Sequence, residues 1–273
     1  MSAFAVTAKN ITVKYGSRIA IDGSSFSIPK GSVTALIGPN GSGKSTLLNA
    51  IAGLHDPASG SLEVEAVTNR IAFVLQSTKV NASLPISVRE VVTMGRYADT
   101  GAYGRIRQVD RDAVEEAMGR TEVASLADRQ LHELSGGQRQ RVFVAQGLAQ
   151  EHDLLVLDEP MTGLDLPSAQ ALDEVIHLEQ ERGCTVVMTT HDLSEAQVAD
   201  HVLLLSGRVI ADGPPDEVLT VANLSDAYGQ SLLHVDGDRL FVDDPHHRPV
   251  QGRHLHRDRS IHVETSQSDQ HAD

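Results

Sequence analysis

The sequence predicts an α/β fold, on two observations. Gly38-Pro39-Asn40-Gly41-Ser42-Gly43-Lys44-Ser45-Thr46 fits the phosphate-binding pattern G-x-x-x-x-G-K-[ST]; the apolar run Val33–Ile37 precedes it and Leu47–Ala52 follows, giving strand, glycine loop, helix. In addition, Ile71–Leu75, Leu154–Leu157 and Thr185–Thr190 are continuous runs with the length of strands buried on both faces. They end at Gln76, at Asp158 and Glu159, and at His191, and α/β sheets bind ligands at the carboxyl ends of their strands. The loop glycines let the backbone curl so that N–H groups point inward at phosphate oxygens. The helix beginning near Lys44 adds its positive end. Lys44 reaches β- and γ-phosphates, and the Ser45 hydroxyl suits Mg²⁺.

Composition bounds the rest. Of 273 residues 40% are hydrophobic, enough for a real core; aromatics are 3% and there is no Trp, so that core is Val, Leu, Ile and Ala. A net charge of −14 argues against nucleic acid as the main partner. The single cysteine, Cys184, excludes an intrachain disulfide and fits a reducing compartment. Met1–Val6 lacks the pattern of a signal peptide, and no run approaches the roughly 18 apolar residues of a membrane span, so any membrane role is expected through a partner.

In chain order, residues 3–13 read as a strand, alternating through Ile11 and Val13 to Tyr15. Tyr15-Gly16 turns, and Phe26–Ile28 is a second strand closed by Pro29-Lys30-Gly31. Tyr15 is either a strand-end aromatic or a ring that stacks on adenine. After the loop helix, residues 53–60 are a turn-rich connection to a short strand, Ser61–Val64. Gln76 is either an ordinary loop polar group or a ligand contact. Residues 77–135 change character: Ser87 and Glu90 make a capping box for a helix to Met94, residues 95–104 are a loop, and Asp110–Met118 is a second helix. This block is a helical insertion, either a plain structural subdomain or a docking surface.

Leu134-Ser135-Gly136-Gly137-Gln138 leads into a helix, Arg139–Ala149, and makes a second anion site. One chain needs two such helix ends if the second completes a site on another copy. Asp158 and Glu159 end a buried strand, where carboxylates are costly unless a cation is near. Asp158 suits Mg²⁺ through its water shell, Glu159 suits orienting or deprotonating an attacking water, and Pro160 stops the strand. Gly163-Leu164-Asp165 precedes a helix over Pro167–Glu181, and His191 is a candidate γ-phosphate contact. His201–Leu205 and Arg208–Ala211 form a hairpin turning at Ser206-Gly207, followed by short helices at Asp216–Leu219 and Leu224–Tyr228.

Taken in order, Gly38–Thr46, Gln76, Leu134–Gln138, Leu154–Glu159, Asp165 and His191 resemble the motifs of the ATP-binding cassette ATPases, over about residues 1–230. Leu-Ser-Gly-Gly-Gln is that family's signature. The resemblance implies a P-loop NTPase cassette with a RecA-like core, an N-terminal antiparallel β-subdomain and a helical signature subdomain at about 77–148, all within a nucleotide-binding domain at 1–233. It implies ATP and Mg²⁺, with Tyr15 on adenine, Gly38 to Thr46 on the phosphates, and Ser45, Gln76 and Asp158 at Mg²⁺. Glu159, His191 and Gln76 are the implied catalytic group. Ser135, Gly136, Gly137 and Gln138 would face the nucleotide of a second protomer, and Asp165 would bridge the two. The implied assembly is a homodimer of cassettes, peripheral at the cytoplasmic face of the membrane, on an integral permease. An extracytoplasmic substrate-binding protein is an indirect partner, and nucleic acid is none. Thr162-Gly163-Leu164-Asp165 departs from the family's frequent Ser-Ala-Leu-Asp but keeps the Asp.

Ile86–Tyr97, Arg141–Gln150 and Asp212–Pro215 resemble the importer cassettes for zinc, manganese and chelated iron, with zinc or manganese favoured over an iron–siderophore cargo. The block 77–105 is then expected to meet the permease, with Arg96 on that surface. Repair ATPases of cassette type place long coiled coils between loop and signature, whereas Lys44 and Ser135 are about ninety residues apart with no sustained heptads. Translation-associated cassettes carry two phosphate loops and this chain has one; a cassette with a regulatory, non-transport role is the alternative. Residues 234–273 hold seven of the thirteen histidines: His234, His246, His247, His254, His256, His262 and His271. Leu232–Val235 and Arg239–Val242 read as a hairpin, with disorder expected from Asp243 onward. The extension is either a solvated tail or a weak Zn²⁺ site of nitrogen and oxygen ligands.

Overall fold

The structure, a computed structural model, describes residues 3–65, 70–75, 85–101, 104–229, 233–236, 239–242 and 261–262. At its centre β3 (Val33–Ile37), with every residue buried, lies between β7 (Thr185–Thr190) and β8 (His201–Leu205), parallel to both. The sheet continues from β7 to β6 (Leu154–Leu157) and β5 (Ile71–Val74), again parallel, and from β8 to an antiparallel edge, β9 (Val209–Gly213). Both faces are covered, which is why these strands read as continuous apolar runs. Val33, Ala35 and Ile37 face one core with the helices, while Leu36 faces the other with Leu47, Leu48 and Ile51 of α1 (Lys44–Ile51).

That second core is closed by a three-stranded antiparallel sheet in the order β2–β1–β4, made of β1 (Phe4–Tyr15), β2 (Arg18–Pro29) and β4 (Ser59–Val64). The sequence suggested only Phe26–Ile28 for the second strand; β2 begins eight residues earlier, at Arg18. Asp22-Gly23-Ser24 breaks the alternation, yet β1 still pairs through it by bulging, with Asn10 at φ 47° and its N–H donating to Ser25 Oγ at 2.8 Å. Cross-strand pairing overrides weak local pattern here.

The helical layer consists of α2 (Val88–Met94), α3 (Tyr97–Thr100), α4 (Gln108–Arg120) and α5 (Gly136–Ala149). The expected Ser87–Glu90 capping box is present. The loop expected at 95–104 instead contains the single turn α3. Helix α5 starts three residues earlier than expected because Ser135 caps it: Ser135 Oγ accepts from Gln138 N, and Gln138 Oε1 from Ser135 N. Beyond β6 lie α6 (Leu166–Glu181), α7 (Leu193–Gln197), α8 (Pro215–Val218) and α9 (Val221–Tyr228). Helix α7, which the sequence reading missed, is capped by Asp192. The expected terminal hairpin forms as β10 (Leu233–Asp236) and β11 (Arg239–Val242), so β10 crosses the boundary drawn at 233. A third strand, β12 (Ile261–His262), pairs with β11 inside the stretch expected to be disordered, the rest of which lies outside the described residues.

The expected surface role of Arg96 is corrected. Its side chain is 5% exposed, and its guanidinium bonds Asp110 Oδ1 at 3.0 and 3.2 Å, the Ala149 carbonyl at 2.8 Å and Asp99 at 2.8 Å. Gly95 explains the burial: a Cβ there would meet the Gln146 carbonyl oxygen at 2.1 Å, so the end of α2 presses against the backbone of α5. Arg96 pins α2, α4 and α5 together. Arg96→Glu should therefore lower stability by about 3 kcal/mol or more, the scale for breaking a buried ion pair. The check is the urea midpoint, and a wild-type midpoint would contradict this account.

Candidate functional site

The carboxyl ends of β3, β6 and β7 meet at one edge of the sheet. There β3 runs into the glycine loop, which is held tightly from behind. A Cβ at Gly38 would stand 2.1 Å from the Leu205 carbonyl oxygen, and one at Gly43 2.6 Å from that of Ala20. Gly43 caps α1 at φ 102°, a conformation that favours glycine. The first N–H groups of α1, at Lys44, Ser45 and Thr46, have no partners within the helix. Pro39 is half-buried, and Asn40 and Gly41 are exposed.

Lys44 is buried, and its Nζ donates to the carbonyls of Gly38 at 2.7 Å and Pro39 at 3.2 Å. Burial pulls its pKa below the ordinary lysine value, opposed by the carboxylates of Glu159 and Asp158. Ser42 Oγ is buried with no hydrogen-bond partner. An orphaned hydroxyl, a glycine cradle and a buried ammonium fit the oxygens of a polyphosphate.

Asp158, at the end of β6, is 8% exposed. Its Oδ1 accepts from Thr189 Oγ1 at 2.7 Å and Ser45 Oγ at 3.3 Å. Hydroxyl and carboxylate oxygens are the donor set Mg²⁺ takes. Glu159 follows at φ 47°, rare outside glycine and costing about 1–2 kcal/mol. Its N–H donates to Thr189 Oγ1 at 2.8 Å, and Thr162 Oγ1 donates to its Oε2 at 3.3 Å. Thr189 thus fixes the carboxylate of Asp158 through its hydrogen and the backbone of Glu159 through its oxygen. Sequence reasoning missed it, because its partner is visible only once Leu157 is set against Met188 in the strand register.

His191 is exposed just past β7, and Tyr15 is 69% exposed at the end of β1. Gln76 lies outside the described residues. Ser135 to Gln138 are held elsewhere. A Cβ at Gly137 would meet Ser168 Oγ at 2.9 Å and Asp165 Oδ1 at 3.6 Å, so the signature abuts the start of α6. Asp165 caps α6, and its carboxyl is held below the usual range first by hydrogen bonds from Ser168. Ser168 too was missed. Ten residues further along α5, Gly147 packs on Val74 of β5, about 15 Å along the helix from Gly137.

A family model described as ABC transporter matches residues 21–162. The manganese transport system ATP-binding protein MntB of Bacillus subtilis is 37% identical over 235 residues, covering 84% of this chain and 94% of that protein. The zinc transport system ATP-binding protein TroB of Treponema pallidum is 38% identical over 252 residues, covering 89% and 95%. An inward-facing structure of a metal-chelate type ABC transporter superposes with a TM-score of 0.74 at 30% identity, over 87% of this chain and 95% of that one.

Replacing Thr189 tests the local geometry. Thr189→Val keeps the shape of the side chain but leaves the Glu159 N–H and the Asp158 carboxylate each short of a partner. A stability loss of about 1–3 kcal/mol is expected in urea denaturation; an unchanged midpoint would mean that the hydroxyl bridges nothing.

Proposed function

The chain belongs to the ABC transporter family and is one of its ATPases; from that premise we propose that it energises import of a metal ion, zinc or manganese, through a separate membrane permease. The observation that supports the chemistry best is the convergence of Lys44, Ser45, Asp158 and Glu159 on one sheet edge. Lys44 leaves the carbonyls of Gly38 and Pro39 for β- and γ-phosphate oxygens, which Gly41, Ser42, Gly43 and Thr46 also surround. Ser45 and Asp158, with Gln76, hold Mg²⁺, which neutralises charge on those phosphates when bound. Glu159 orients the attacking water and takes its proton, and His191 contacts the γ-phosphate. Tyr15 stacks on adenine. Ser135, Gly136, Gly137 and Gln138, with Asp165, act on the nucleotide of a second protomer in a head-to-tail homodimer.

Among the described residues no helix is long and apolar enough to cross a membrane. Attachment at the cytoplasmic face is therefore assigned to contact with the permease, with an extracytoplasmic binding protein supplying cargo on the far side. The cargo rests on Ile86–Tyr97, Arg141–Gln150 and Asp212–Pro215 and on the relatives named for zinc and manganese. Chelated iron is the second reading, favoured by the likeness to a metal-chelate type transporter. Uptake of labelled zinc, manganese and ferric siderophore by cells lacking this chain separates the two.

The histidine-rich extension is assigned a weak zinc-binding role, damping the ATPase when cytoplasmic zinc rises. Its histidine side chains lie outside the described structure. Calorimetric titration of zinc into the full chain and into a version ending at Asp243 should give larger heats for the full chain. Equal heats and an unchanged ATPase response to zinc would remove that role.

The catalytic assignment has its own test. Glu159→Gln should lower turnover at least about a hundredfold while ATP binding persists and dimers accumulate. Lys44→Ala should instead lose nucleotide affinity. Near-normal turnover of Glu159→Gln would sink the assignment.

A further inference from the structure

At the opposite edge of the main sheet a second cluster forms, apart from the phosphate loop. His152 lies two residues before β6, Cys184 immediately precedes β7, and Glu179 lies near the end of α6. The sheet itself assembles them. Leu154 pairs with Thr185, which brings the entries to β6 and β7 side by side, and Cys184 N donates to the Glu179 carbonyl at 3.0 Å. One ligand atom from each side chain lies within 4.8 Å of the other two. Glu179 and Cys184 are 3% and 5% exposed. With His152, Arg120 and Arg182 they line a cavity of about 360 Å³.

The imidazole is oriented for ligation. His152 Nδ1 lies 2.7 Å from the Gln150 carbonyl oxygen, which can only accept, so Nδ1 carries a hydrogen. Nε2 is thereby presented to the cluster, 3.0 Å from Glu179 Oε2. A carbonyl on the outer nitrogen is the usual partner of a metal-binding imidazole. Glu179 is itself held from behind, with Arg120 Nη2 2.5 Å from Oε1 and Arg182 Nη1 3.7 Å from it.

We propose that His152 Nε2, a Glu179 carboxylate oxygen and Cys184 Sγ form a binding site for a thiophilic divalent cation of the zinc class. Water from the cavity completes a tetrahedron. The ion replaces the proton between Nε2 and Oε2 and the proton of the thiol. Two protons leave as one dication enters, so the net charge beside Arg120 and Arg182 is unchanged. Zinc bonded to N, O and S at its ordinary lengths sets the ligand atoms about 3.4–3.6 Å apart. The observed 4.8 Å limit therefore asks for side-chain rotation rather than movement of the strands. A thiolate with an imidazole selects zinc-class ions over magnesium. The site does not depend on which metal is transported.

Cobalt(II) added to the full-length chain tests this. Cys184 is the single cysteine, so a thiolate-to-cobalt charge-transfer band reports this site alone, whatever the histidine-rich extension binds. The expected result is a band saturating at one cobalt per chain and bleached by zinc. It should be lost in Cys184→Ser, and cobalt affinity should fall at least about tenfold in His152→Gln and Glu179→Gln. Circular dichroism checks that each variant folds, and the wild-type measurement decides alone if one does not. No band from the wild type at saturating cobalt overturns the proposal, as does a band of wild-type affinity in both His152→Gln and Glu179→Gln.

Discussion

Strands β3, β6 and β7 are buried on both faces, so their peptide groups have no water to turn to and must pair with one another. The parallel ladder that results sends all three chains out at the same edge, in a register that sets Leu36 against Thr189 and Leu157 against Met188. The glycine loop, Asp158, Glu159 and Thr189 therefore converge without any residue being placed by a flexible segment. The same ladder brings His152 and Cys184 together at the other end. One constraint of hydrogen-bond satisfaction thus builds two polar clusters at opposite ends of a dry core.

The charges at the carboxyl edge are mutually dependent. Burial alone disfavours the ammonium of Lys44, and the two carboxylates beyond it favour that ammonium. Those carboxylates are in turn costly at a strand tip unless cations or donors face them. Thr189, Ser45 and Lys44 meet part of that cost in the chain itself. The strained backbone at Glu159 is held by the Thr189 hydrogen bond and by the turn that Thr162 closes. Strain of this kind persists where the surroundings over-determine it, and it is concentrated at functional positions.

The strands of the main sheet and the glycine loop were legible in the sequence because each is a local pattern: an apolar run, a capping box, a spacing of glycines. The start of β2 was not, because a bulged partner supplies pairing that Asp22-Gly23-Ser24 does not advertise. Arg96 was misread for a related reason. A charged residue beside a glycine looks like surface, and only the approach of α2 to Gln146, which Gly95 permits, turns it inward onto Asp110. Thr189 went unseen because its partner, Asp158, lies 31 residues away, and Ser168 because the signature glycine it abuts, Gly137, is on the neighbouring α5. Asp158 and Glu159 were visible because placing acids at the end of a buried strand is itself an anomaly.

The signature glycines separate packing from approach. Gly137 is crowded by its own chain, since a Cβ there would stand 2.9 Å from Ser168 Oγ, a contact that rotation of the serine side chain relieves. Gly136 is not: a Cβ at that position meets nothing within 4 Å. Its bareness gives no packing advantage within the chain. What it gives is a helix end with an uncovered backbone, open to something arriving from outside. Ser135 fits the same logic. Its oxygen accepts the Gln138 N–H in the cap, which leaves the hydroxyl hydrogen to donate. The N–H groups of Gly136 and Gly137 are likewise unspent within the helix. The cap and an incoming anion therefore use different atoms, so the proposed contact with a second protomer's nucleotide does not require α5 to fray. A helix end already ordered before the partner arrives loses less entropy on docking.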